Sequence, residues 1–113
     1  MYQYEAIQKK ESGRKLNRTG IPGAMKEKAE EKSGFSFDDV KVHYHSEKPA
    51  QFAALAYTRG SDVYIGPGQE RHLGHELGHV VQQMEGRVNA STHLGGMPVN
   101  DDRGLEREAD DFL

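Results

Sequence analysis

The run from Leu73 to Met84 constrains this chain more than any other stretch. Its apolar residues Leu73, Leu77, Val80, Val81 and Met84 recur at three- and four-residue steps, which puts them on one face of an α-helix. The spacing predicts a helix from about Glu70 to Glu85, ended by Gly86. That face must be buried, and the chain has modest means to bury it. Its 113 residues are 35% apolar and 29% charged, enough for one small domain. Gly78 lies inside the helix at a cost of roughly 1 kcal/mol against alanine. A glycine there predicts another element packed close to the helix backbone.

The remaining elements are arranged around this helix. Residues 1 to 20 read as a polar leader, and residues 21–113 as the domain proper. Ile21-Pro22-Gly23 is a turn, followed by strong helix formers from Ala24 to Lys32 and a stop at Gly34. Met25 and Ala29, four apart, share a face for a core. Val40 to Tyr44 alternates as a half-buried strand, and Asp62 to Ile65 predicts a second strand. Pro49 to Ala56 reads as a short helix with proline in its first turn. Asn89 to Pro98 is polar and glycine-containing, hence loop. Asn100-Asp101-Asp102 offers cap residues for a last helix over Leu105 to Leu113. The order predicts an α+β fold with a short β-sheet.

Composition closes off several functions. A net charge of −3 lacks the basic excess expected of a nucleic-acid surface. There is no run of about eighteen apolar residues for a membrane span. The first fifteen residues, MYQYEAIQKKESGRK, contain no apolar stretch of a secretory signal. Cysteine is absent, so thiolate catalysis and cysteine-ligated zinc are excluded.

The chemistry lies in His75-Glu76-Leu77-Gly78-His79, an HExxH pattern. Residues four apart on a helix stand one above the other. Both imidazoles can therefore reach one zinc ion at about 2.0–2.1 Å. Glu76, turned about 100° away, flanks the ion's open position as a general base instead of competing as a ligand. The bland alternative is a pair of solvated surface histidines. A third ligand has to be His, Asp or Glu, and His43, His45, His72, His93, Glu106, Glu108 and Asp110 are the candidates. Glu106 and Asp110 share a helical face beside the small Ala109. A carboxylate there completes a His, His, Glu site, and Asp110 can hydrogen-bond the outer nitrogen of a ligand histidine. Taken alone, the acidic run is a solvated helix start; beside HExxH it reads as a ligand.

HExxH followed by Glu-x-x-x-Asp on a second helix resembles the gluzincin class of metallopeptidases, whose third ligand is that glutamate. More specifically, the stretch from about Ile21 to Asp110 resembles the core domain of toxins of extracellular contractile injection systems. The likeness is carried by Asp39 to Tyr44, Lys48 to Gln51, Ala54 to Tyr57, Gly60 to Asp62, Gly66 to Glu70, His75-Glu76, His79 to Gln83, Gly86 to Val88, Val99 to Asp102, Leu105-Glu106 and Glu108 to Asp110. It departs at Leu77-Gly78. The resemblance implies a single zincin-like domain with an HExxH helix and a C-terminal glutamate helix. It also implies a Zn2+ cofactor and peptide-bond hydrolysis that releases or processes an injected bacterial toxin. Partners would be a peptide or protein substrate, the rest of its own toxin polypeptide, or an injection-system particle. The protein would stay in the bacterial cytoplasm until a contractile injection system exports it. The competing expectation is a catalytically inactive, zinc-stabilised docking or loading module.

Further features carry weaker expectations. Val63-Tyr64-Ile65 is either an ordinary core strand or an edge that holds an extended peptide by strand addition. Tyr64, Ile65 and His93 are the substrate-binding candidates, and Tyr57, Tyr64, His72 and His93 could stabilise an oxyanion. His43 and His45 alternate on a strand and so share a face, which would permit a second metal site.

Overall fold

A computed structural model describes residues 16–94 and 96–113, so most of the polar leader, residues 1–15, lies outside the described residues. The end of the leader is packed. The Asn17 carboxamide oxygen accepts from the N–H and hydroxyl of Thr19 at 3.0 and 2.6 Å, and the Ile21 N–H donates to Thr19 Oγ1 at 2.9 Å. Thr19 and Ile21 are each 2% exposed, and the Val42 N–H donates to the Thr19 carbonyl. Burial thus begins before Ile21.

Helix formers after Pro22 make α1 (Gly23–Ser33), which Gly34 ends at φ +76° by donating to the Glu30 carbonyl. Ala29 is fully buried and Met25 packs against the same core. Strand β1 (Lys41–His43) and helix α2 (Lys48–Gln51) follow. The helix expected over Pro49 to Ala56 stops early. Ala53 turns left-handed at φ +53° and the Ala54 N–H reaches back to the Pro49 carbonyl at 2.9 Å, a closure usually made by glycine. The chain then enters β2 (Ala56–Arg59), antiparallel to β3 (Asp62–Ile65). Sheet pairing overrides the local helix preference of this alanine-rich run.

The sheet order is β1-β3-β2, with β1 parallel to β3. The reading of Val63-Tyr64-Ile65 as a peptide-accepting edge is therefore corrected. β3 is central, and its backbone groups are taken on both sides. The free edge belongs to β2. The Gly66 N–H donates to the Leu55 carbonyl, so Tyr57 and Arg59, two and four residues on, bond to β3. Ala56 and Thr58 direct their N–H and C=O outward, with no backbone partner there among the described residues.

A 3-10 turn (Glu70–His72) opens into α3 (Leu73–Met84). Its Leu77 and Val80 join Val63, Ile65, Phe37 and Val40 in one core, all fully buried. Each such side chain contributes about 1.5–3 kcal/mol by leaving water. The predicted loop after α3 holds a hairpin instead, β4 (Thr92–Leu94) with β5 (Met97–Val99). The last helix, α4 (Arg103–Asp110), begins at Asp102, which accepts from the Leu105 N–H at 2.9 Å. It starts two residues before Leu105 and stops short of Leu113. Four α-helices and two small sheets among the described residues make an α+β domain. No described helix is long and apolar enough to cross a membrane.

Candidate metal centre

The close approach expected from Gly78 is found where α4 crosses α3. A Cβ on Gly78 would lie 2.8 Å from the Ala109 Cα and 3.1 Å from its Cβ. That contact swings Glu106 over the two histidines. Its Oε2 lies 2.9 Å from His75 Nε2, and its Oε1 lies 3.1 Å from His79 Nε2. The two rings meet edge to face, centroids 4.6 Å apart. One ligand atom from each of His75, His79 and Glu106 falls within 4.8 Å of the others. One turn further on, Asp110 Oδ1 lies 2.6 Å from His75 Nδ1. Glu108 points elsewhere and forms a two-pronged pair with Arg87, both contacts at 2.7 Å. Arg87 holds the Glu108 carboxyl below its ordinary range.

The donor set fits a metal. Asp110 takes the hydrogen of His75 Nδ1, so in the neutral ring Nε2 is left with a lone pair; this tautomer is assigned from its partner. Lone pairs of His75 and the Glu106 carboxylate thus face one another, an arrangement that a shared cation satisfies. Two imidazoles and a carboxylate without sulfur suit zinc.

Glu76 departs from the trio as helical rotation requires. It is 5% exposed, and the Thr58 hydroxyl donates to its Oε1 at 2.6 Å. Burial pushes its carboxyl above the ordinary range, against the Thr58 hydrogen bond and the two histidines, which pull it down. His75, Glu76, His79 and Glu106 all line one cleft of about 450 Å³. Its other walls are β2 and the hairpin, with apolar surface from Phe52, Val88, Leu94, Met97 and Val99.

Of the remaining candidates, Tyr57 alone is brought to this cleft. Ile65 is fully buried in the core. Tyr64 stacks between His43 and Tyr57 on the sheet's outer face, at 4.6 and 4.7 Å, with Lys48 over its ring. His93 is exposed on β4, and neither it nor His72 lines the cleft; Tyr57 does. His43 pairs with Asp62 at 3.0 Å while His45 is exposed at φ +52°. They form no ligand cluster among the described residues.

Sequence reasoning missed two polar residues of the site. Thr58 left no signal, because it lies just past the helix expected over Pro49 to Ala56, in a stretch where no strand was read. Gln82 left one, a polar residue three places after His79 on the same helix. It is 1% exposed, its Oε1 lies 2.8 Å from His79 Nδ1, and its Nε2 donates to the Leu105 carbonyl at 2.8 Å.

The sequence pattern of the eCIS core domain matches residues 20–87. The chain belongs to that family. In this eCIS core domain the matched span holds the sheet, α3 and His75, Glu76 and His79, whereas Glu106 and Asp110 on α4 lie beyond it. No curated protein and no solved structure matches the chain.

Proposed function

We propose that this eCIS core domain is a zinc-dependent, gluzincin-like endopeptidase, zincin-like in its fold. One observation carries the reading: a buried carboxylate, Glu76, opens onto the same cleft as the His75, His79 and Glu106 set. These three would hold the ion and Asp110 would support His75. Zinc held there would acidify a water molecule and polarise the scissile carbonyl. Glu76 takes the proton from the attacking water and delivers it to the leaving amine. Its burial favours that role, since a carboxylate whose charge is disfavoured by burial is the stronger base and takes the proton of the water more readily. Thr58 anchors Oε1 and leaves Oε2 for the proton. The outward N–H and C=O groups of Ala56 and Thr58 give an extended polypeptide a strand to pair with beside the reacting atoms. The substrate is then a peptide or protein, drawn from the toxin polypeptide of which such a domain is part or from the injection particle.

The test is cleavage of a mixed peptide library by zinc-loaded protein, with and without a chelator, alongside Glu76→Gln. Cleavage should be chelator-sensitive, and Glu76→Gln should retain zinc while slowing turnover by about 10²–10⁴-fold. Chelator-resistant cleavage, or a Glu76→Gln variant as fast as wild type, would defeat the proposal. Zinc bound with no cleavage at all would favour the docking-module alternative over the peptidase.

A further inference from the structure

We infer that Gln82 is a positioning residue that sets which nitrogen of His79 carries the hydrogen, and so aims its free lone pair at Glu106. The deduction starts from the far end of the Gln82 side chain. Its amide faces the Leu105 carbonyl at 2.8 Å, and a backbone carbonyl can only accept. The NH2 group must therefore lie on that side. The amide oxygen is then the end facing His79 Nδ1 at 2.8 Å, and it too can only accept. Nδ1 must carry the hydrogen, so neutral His79 presents a bare Nε2 to Glu106 Oε1, 3.1 Å away.

Burial makes this assignment rigid. At 1% exposure Gln82 has no water to turn toward, and a flipped amide would set acceptor against acceptor at Leu105 and NH2 against N–H at His79. The same side chain bridges α3 to the peptide unit that joins Leu105 to Glu106, linking one histidine's orientation to the placement of the carboxylate. His75 obtains its orientation differently, from Asp110 on α4. The two histidines thus have separate supports, one charged and exposed, the other neutral and buried.

The inference rests on the proposed metal reading only for its consequence, so the first measurement uses metal-free protein. Imidazole nitrogen NMR on isotope-labelled protein, about two pH units above the ordinary histidine pKa of about 6.5, reports the tautomer of His79. Wild type should carry the hydrogen on Nδ1. Gln82→Leu should populate the Nε2–H form, while Gln82→Glu, which retains an acceptor toward His79, should keep the wild-type form. A wild-type His79 protonated on Nε2, or a Gln82→Leu spectrum unchanged at His79, overturns the assignment. If Gln82→Leu does not fold, Gln82→Met carries the same expectation. Chelator-buffered zinc competition then reads the consequence, a roughly 10–100-fold loss of affinity in Gln82→Leu. Unaltered affinity would mean that Gln82 merely packs the helix pair. Wild-type protein that shows the tautomer and binds no zinc would sink the peptidase reading and leave the role of Gln82 standing.

Discussion

The two sides of the cleft are built differently. On one side α3 and α4 meet backbone to backbone at Gly78 and Ala109, with His75 held by Asp110 and His79 by Gln82. On the other side stand a four-residue edge strand and a hairpin whose Thr92, His93 and Leu94 are all exposed. Close packing leaves the first side a single arrangement, since interiors at crystal-like density do not deform gradually. The first strand of the hairpin is exposed throughout, the usual mark of an element that opens locally at low cost. An enzyme of the proposed kind needs both: rigid groups at the chemistry, and a wall that can admit and release a chain.

The largest expected effect breaks the rigid side at its ligand. Glu106→Ala should weaken zinc binding by more than about a hundred-fold, beyond the 10–100-fold expected of Asp110→Ala, which removes only support. Glu108→Ala should leave affinity unchanged, because its carboxylate is engaged with Arg87. Competition against a metal-buffering chelator orders the three. Equal losses in Glu106→Ala and Glu108→Ala would mean that the register of α4 is wrong.

Next comes the helix crossing itself. Gly78→Val should destabilise the fold by about 1–3 kcal/mol in urea unfolding, at the upper end because the obstruction is backbone and cannot turn aside. Zinc affinity should fall with it. Gly78→Ala, which ordinarily gains about 1 kcal/mol in a helix, should here lose stability; a gain would show that the helices have room to part.

The flexible side should respond in the opposite way. Leu94 is 44% exposed, so Leu94→Ser should change stability by less than about 0.5 kcal/mol while raising the KM for an apolar peptide. A large stability loss would make the hairpin part of the frame, and the contrast between the two sides would fail.

The smallest effect concerns the surface pair of Glu108 and Arg87. Arg87 holds the Glu108 carboxyl low, so its contribution is complete above the unfolded carboxylate's ordinary value of about 4.3. It is lost as pH falls through the lowered folded value. Glu108→Gln should therefore melt slightly below wild type at neutral pH and together with it in acid. Molar salt should shrink the neutral-pH gap, because the pair is exposed. A gap that persists in salt would place this pair among the rigid contacts.

Helix α3, its HExxH pair, the close partner of Gly78 and the shared face of Glu106 and Asp110 were all readable in the amino-acid order. Helical periodicity is local, and residues three or four apart meet whatever the rest of the chain does. The halt of α1 at Gly34 and the cap at Asp102 were legible for the same reason. Strands are another matter. Alternation at Asp62 to Ile65 predicted a strand without saying whether its neighbours lay on one side or two, and nothing near Ala56 opposed the helix that its alanines favour. Only pairing with β3 made that segment an edge and carried Thr58 to Glu76. The hairpin over Thr92 to Val99 has no apolar alternation to announce it, being held by Ser91 and Asn100 bonds across its base. Gln82 stood in plain view on α3, but its role depends on where the Leu105 carbonyl of another helix comes to rest. The candidate groups His75, Glu76 and His79 were thus set by spacing along one helix. Their supports, and the wall that faces them, were decided by contacts between residues far apart in the chain, which no local pattern records.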